Sequence, residues 1–150
     1  MRTITTPAEF LDLQRECIRQ VTYYVEIARK KLGITFPTPR VLFGLQGTTA
    51  GRAYFPDNKI NFQPTLLREN ADHFVQQTVG HEVGHLAAYF KYGMTIKPHG
   101  HEWASVMWHL GLPATRCHNY DVSNVATRVG KIHNPNKGIR GIGQITDFNS

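Results

Sequence analysis

The stretch that decides the fold is VGHEVGHLAAYF, residues 79–90. Apolar residues recur through it at three- and four-residue steps, which predicts a helix with one face in the core. Glu69 or Asn70 is the predicted start of this helix, and Gly93 is a natural stop. The predicted core stripe consists of Val75, Val79, Val83, Leu86 and Phe90.

The same helix contains the pattern H-E-x-x-H at residues 81–85. Residues four apart lie one above the other on a helix, so the imidazoles of His81 and His85 can reach a single metal ion. Glu82 is rotated by about 100° from His81, so it flanks the ion without having to bind it. The spacing therefore predicts a metal site with Glu82 as general base and acid, the arrangement of metallopeptidases.

A catalytic zinc usually has three protein ligands and an open position, so a third ligand is missing from the helix. The metzincin extension would require glycine at position 88 and histidine at position 91, and Ala88 and Lys91 exclude it. Further along, the stretch PHGHEW offers His99, His101 and Glu102. The residues alone leave all three open, and a set of imidazoles with an open position favours zinc.

The rest of the chain predicts a small α+β domain. Residues 6–9 form a capping box that begins a long N-terminal helix, which ends at Gly33 and buries the stripe Leu11, Ile18, Val21, Val25, Ala28 and Leu32. A short strand at 41–45 precedes a hairpin, whose turn contains Asn58 in a left-handed conformation, so we expect a small antiparallel sheet. A third, shorter helix over 102–110 turns Trp103, Val106, Met107 and Leu110 inward.

Composition fits one domain of 150 residues with a net charge of +6. The positive charge is spread out, and it favours polyanionic partners such as DNA. The cysteines, Cys17 and Cys117, lack metal or redox spacing. The N-terminus has no apolar signal region, and no run approaches the roughly 18 apolar residues of a membrane span. We therefore expect a cytoplasmic protein without a membrane segment.

The run GHEVGHLAAYFKYGMTIKPHGHEW resembles the SprT family of zinc metallopeptidases, which also includes the Spartan proteases of DNA–protein crosslink repair. The family pattern is H-E-x-x-H followed by H-G-x-x-[FW], and the similarity extends over about residues 36–121. The resemblance implies a zincin-like fold and Zn²⁺ held by His81, His85 and His99. It also implies Glu82 as the catalytic base for a zinc-bound water that attacks a peptide carbonyl, and Trp103 as the aromatic that seats the third helix.

The C-terminal part departs from this family. Many bacterial SprT proteins continue into a cysteine-based zinc ribbon, and no cysteine follows Cys117. We therefore predict a SprT-like metallopeptidase domain over 1–121 and a basic, glycine-containing tail over 122–150, either packed or disordered.

Three functions compete at this point. The first is a zinc endopeptidase acting on proteins, including DNA-associated ones. The alternative is a nucleic-acid-binding module with a structural or vestigial metal site, which the basic charge favours. A zinc hydrolase of non-protein amides has no specific support. Four further residues are candidates for polarising a substrate carbonyl or supporting the ligands: Tyr89, Tyr92, His118 and Tyr120.

Overall fold

A computed structural model describes residues 4–115 and 118–125. The elements follow in the order α1 (Pro7–Leu32), β1 (Arg40–Leu42), β2 (Gly51–Tyr54), β3 (Lys59–Phe62), α2 (Pro64–Glu69), α3 (Ala71–His73), a π-helical segment (Phe74–Thr78), α4 (Val79–Tyr92) and α5 (His101–Leu110). The predicted α+β class is confirmed.

Helix α1 has the predicted ends. The Thr6 hydroxyl accepts from the Glu9 amide, the Glu9 carboxylate accepts from the Thr6 amide, and Gly33 ends the helix with a φ of 63°. The predicted stripe is wrong at its first two positions, because Leu11 and Ile18 are 46% and 44% exposed. The face in the core also uses Cys and Tyr, which an apolar count overlooks, and it consists of Leu13, Cys17, Val21, Tyr24, Val25 and Ala28.

The sheet is mixed rather than wholly antiparallel. Its order is β1-β3-β2, with β2 and β3 forming the predicted antiparallel hairpin and Asn58 at a φ of 57° in its turn. Strand β1, however, runs parallel to β3, with Arg40 opposite Lys59. The connection over 43–50 carries the chain past β3 before β2 begins, so β1 and β2 flank the same central strand. The prediction that β1 joins an antiparallel sheet is therefore wrong.

Helix α4 lies at the centre of the molecule, in contact with α1, α5 and β2. It is buried on nearly every side, since all nine residues from Val79 to Ala88 other than His81 are buried. The predicted start near Asn70 is matched by α3, but α2 and the π-helical segment were not predicted. In the latter, Phe74 is buried and Val75 only half-buried, so Phe74 takes the core place predicted for Val75.

Two glycines let neighbouring elements approach α4 closely. Glycine is unfavourable inside a helix, and this close approach compensates for its presence there. A Cβ on Gly84 would lie 2.5 Å from the Met107 sulfur on α5, and one on Gly80 would collide with Leu112. The inward residues of α5 are those predicted: Trp103, Val106, Met107 and Leu110.

The described chain ends with a segment that returns to the core. Val125 is buried there, and Tyr120 and Val122 pack against the core while remaining half-buried. Most of the predicted tail, residues 126–150, lies outside the described residues, so the division at 121 stays a prediction. Within the described ranges, no helix combines the length and the apolar character needed to cross a bilayer.

Candidate metal centre

Three imidazoles converge on one side of α4, and two of them are half-buried. His81 and His85 come from successive turns of α4, and His99 comes from the connection between α4 and α5. The Nε2 atoms lie 3.2 Å apart for His81 and His85, 3.2 Å for His85 and His99, and 3.3 Å for His99 and His81. The three nitrogens thus form a nearly equilateral triangle.

This triangle fits a tetrahedral metal ion. Zinc–nitrogen bonds of about 2.0–2.1 Å in a tetrahedron place neighbouring nitrogens about 3.3–3.4 Å apart, close to the observed separations. A protein with three imidazole donors on one side leaves a fourth position for another ligand, which is the donor set of catalytic zinc sites. The residues present therefore fit a zinc ion.

The other two candidates for the third ligand lie elsewhere. The His101 side chain is 92% exposed at the start of α5, with its Nε2 3.5 Å from a carboxylate oxygen of Glu102. Among the described residues, only His81, His85 and His99 form a group able to hold a metal ion. The structure therefore brings together the histidines that the family resemblance implies, and it leaves His101 and Glu102 outside.

Burial keeps the imidazoles of His81 and His85 neutral, the form that binds metal. Burial, and then the charge of His99, lowers the pKa of His81 to about 3, although a hydrogen bond to the Thr115 backbone opposes the shift. Burial also lowers the pKa of His85 well below its ordinary value, with His81 and His99 adding to the effect. The bond to Thr115 fixes the His81 ring from outside the cluster, as supporting hydrogen bonds do in metal sites.

Glu82 lies beside the histidine cluster without joining it. Its side chain is buried, with Oε2 4.0 Å from His81 Nε2 and with Oε1 lacking a hydrogen-bond partner among the described residues. Burial raises the pKa of Glu82 to about 8, against the opposing charge of Arg52. Gly51 of β2 borders it closely, since a Cβ there would lie 3.0 Å from Glu82 Cγ. A carboxyl group with a pKa near neutrality suits the transfer of protons.

The segment after α5 supports this region through His118 and Tyr120. His118 Nε2 lies 2.8 Å from the Thr48 carbonyl oxygen, and its Nδ1 accepts from the Tyr120 amide at 3.0 Å. The Tyr120 hydroxyl lies 2.7 Å from both Thr78 Oγ1 and His73 Nδ1. Both side chains are thus engaged in structural contacts. Of the other two carbonyl-polarising candidates, Tyr89 stacks on His85 and Tyr92 is 40% exposed.

A central helix with H-E-x-x-H, a third histidine from the following connection and a small mixed sheet define a protein of the H-E-x-x-H metal-binding class. Sequence comparison identifies the family: the SprT-like family matches residues 17–120. The chain therefore belongs to the SprT-like family.

Curated relatives agree with this assignment. The chain is 44% identical to Protein SprT of Pseudomonas aeruginosa over 112 residues, which are 74% of this chain and 64% of that protein. It is 35% identical to Protein SprT of Yersinia pestis over 129 residues, 85% of this chain and 74% of that protein. The chain thus spans less than two thirds of the Pseudomonas relative's length. No solved structure matches.

Proposed function

We propose that this protein is a zinc-dependent endopeptidase of the SprT-like type. The observation that carries the proposal is the convergence of three Nε2 atoms beside a buried carboxyl group, Glu82, whose Oε1 has no hydrogen-bond partner in the described part of the chain. Membership of the SprT-like family supports the same activity. The buried free thiol of Cys17 supports a reducing compartment, and we propose the cytoplasm.

The mechanism assigns separate tasks to the histidines and to Glu82. Zinc, when bound by His81, His85 and His99, supplies a Lewis acid that polarises a peptide carbonyl and makes water a better nucleophile. Glu82 takes the proton from the attacking water and passes it to the leaving amine. Burial raises the pKa of Glu82 in the metal-free protein, and the charge of a bound metal ion would lower it again, toward the ionised form that accepts a proton. The close border with Gly51 limits how far this side chain can turn away.

Replacing Glu82 by Gln separates proton transfer from metal binding. We expect Glu82→Gln to bind zinc as the wild type does and to cleave an unfolded protein substrate at least about 100-fold more slowly, the usual contribution of a general base. Glu102→Gln is the matched control, because this side chain is 26% exposed and contacts His101 rather than the cluster. Undiminished cleavage by Glu82→Gln would contradict the mechanism.

We further propose that its substrates include DNA-associated proteins, with the outer face of the sheet contacting the phosphate backbone. Gly51, Ile60 and Phe62 turn toward the core, so the alternate residues of the strands turn outward. The strand register arranges these outward residues in two rows, Arg40–Lys59–Tyr54 and Leu42–Asn61–Arg52. These two rows contain three cations, Arg40, Lys59 and Arg52, and no carboxylate. The charge of Arg52 also acts on the buried Glu82, so Arg40 and Lys59 are the cations that support a polyanionic partner.

Charge reversal on this face tests the DNA proposal. We expect the double variant Arg40→Glu, Lys59→Glu to bind a single-stranded DNA oligonucleotide at least tenfold more weakly at low salt and with a shallower salt dependence, measured by fluorescence anisotropy. Lys30→Glu, Lys31→Glu carries the same charge change at the exposed end of α1 and serves as the control.

Equal binding by the two double variants would contradict the proposed surface. DNA binding by the wild type, without cleavage of any protein in the presence or absence of DNA, would instead favour the alternative function, a nucleic-acid-binding module with a structural metal. The DNA-binding assay therefore tests the proposed surface, and the cleavage assay tests the proposed activity.

A further inference from the structure

We propose that Trp103 is a positioning residue for the metal site, in addition to anchoring α5. Its ring lies against all three imidazoles, with centroid distances of 5.0 Å to His81, 5.4 Å to His85 and 4.9 Å to His99. It stacks on His85 at an interplanar angle of 18° and meets His99 nearly edge-on at 81°. The indole thus packs against every ring of the histidine cluster. This inference rests on the metal site of the proposed function.

The chemistry of the indole argues against a role in packing alone. Trp103 is 1% exposed, and its Nε1 is buried without a hydrogen-bond partner among the described residues. An unsatisfied buried donor is unfavourable, so an apolar side chain would serve better if filling the core were the only requirement. Gly84 makes room for this edge of the ring, because a Cβ there would lie 3.3 Å from Nε1.

The cluster needs a rigid support because its ligands come from different elements. His81 and His85 are fixed relative to each other by α4, whereas His99 lies in the connection that precedes α5. Trp103 belongs to the first turn of α5 and contacts both groups, so it fixes the His99 ring relative to the α4 pair. A cluster ordered before the ion arrives binds it without a further loss of side-chain freedom.

The chain offers matched controls on the same helix. Trp108 is 75% exposed and its ring contacts His109, and Val106 is buried in the core. We expect Trp103→Phe to weaken zinc binding at least tenfold in competition with a chromophoric chelator. Trp108→Phe should bind zinc as the wild type does, and Val106→Ala should lose thermal stability while keeping its zinc affinity.

Equal zinc affinities for Trp103→Phe and Val106→Ala would overturn the positioning role and leave Trp103 as an anchor of α5. A wild type that binds no zinc would refute the metal site of the proposed function itself. The two failures are therefore distinguishable without any assay of peptide cleavage.

A second measurement covers the case in which Trp103→Phe does not fold. The chain has two tryptophans, so Trp108→Phe leaves Trp103 as the single indole emitter. Titration of this variant with Co²⁺ should quench the emission and saturate at one equivalent, because the ion enters the cluster against which Trp103 packs. Binding of Co²⁺ without a change in emission would overturn the inference.

Discussion

His99 and His101 lie two residues apart and have opposite surroundings. The His99 ring joins the cluster, whereas His101 begins α5 and turns into solvent. A turn closed by a hydrogen bond from the Gly100 amide to the Lys97 carbonyl precedes the helix and separates the two directions. Sequence spacing alone offered both histidines. The family resemblance favoured His99, and the path of this connection brings its ring to the cluster.

Alanine substitution of these two histidines measures the difference. We expect His99→Ala to weaken zinc binding at least tenfold, because the ion loses one of three protein donors. His101→Ala should bind zinc with unchanged affinity and stoichiometry, checked by chelator competition and elemental analysis. Loss of zinc from His101→Ala would contradict the ligand set.

His118 predicts a pH dependence of stability. Burial lowers its pKa, so the folded state keeps the ring neutral at a pH where the unfolded chain binds a proton. Its contribution to stability is therefore present above the unfolded pKa of about 6.5 and is lost as the pH falls, by at most about 1.4 kcal/mol per pH unit.

The variant His118→Gln isolates this contribution. We expect the metal-free wild type to lose more unfolding free energy than metal-free His118→Gln between pH 7 and pH 5, measured by urea denaturation. The remaining histidines are shared by both proteins, so most of their contribution cancels in the difference; the small effect of the His118 charge on His81 is part of what this variant removes. Parallel pH profiles for the two proteins would exclude His118 as a source of acid sensitivity.

At the scale of elements, α4 is where the sequence pattern predicted most. Its apolar repeat and its H-E-x-x-H spacing placed the helix in the core with both histidines on one side, as observed. The π-helical segment before it escaped prediction because its contacts are distant along the chain: the Thr78 hydroxyl meets Tyr120, 42 residues away. The parallel direction of β1 was not predicted for a similar reason. A strand of three residues gives no sequence signal for the strand with which it pairs.

The close contact at Gly84 predicts that the packing between α4 and α5 does not tolerate an added methyl group. We expect Gly84→Ala to destabilise the fold by about 1–3 kcal/mol, because the added methyl would meet the Met107 sulfur in a filled core. The matched change Gly44→Ala places its methyl in open space and should change stability by less than about 0.5 kcal/mol. Thermal denaturation of both variants checks this, and equal melting temperatures would contradict the close packing.

At the scale of the whole molecule, a bound ion would connect α4 to the segment leading into α5. Because the ion binds the folded state, removing it should lower stability by about 3 kcal/mol when zinc had been present at 100 times its dissociation constant. For a chain of this size we expect a fall in Tm on the order of 10 °C with a chelator, measured by calorimetry. The His99→Ala variant should show a much smaller change.

The predicted fold class and the predicted cluster both depended on patterns that are local in sequence. One helix supplies His81, Glu82 and His85, so its period suffices to place them. The choice of His99 required the family resemblance, and the contact of Trp103 with all three imidazoles required coordinates, because it joins two helices and a connection. Contacts between different helices, strands and connections are therefore what local sequence patterns could not predict.

The π-helical segment Phe74–Thr78 constrains the number of residues that the chain can have before α4. A π turn accommodates one residue more than an α turn, and each residue in an α-helix advances the direction of side chains by about 100°. Deleting one residue from 74–78 would restore regular α-helical hydrogen bonding, but it would rotate the preceding turn relative to His81 and His85. Phe74 would then leave its edge contact with Phe62, at a centroid distance of 5.4 Å. A one-residue deletion here is thus expected to be more harmful than many substitutions, because it rotates the core residue Phe74 relative to the histidines of the metal centre.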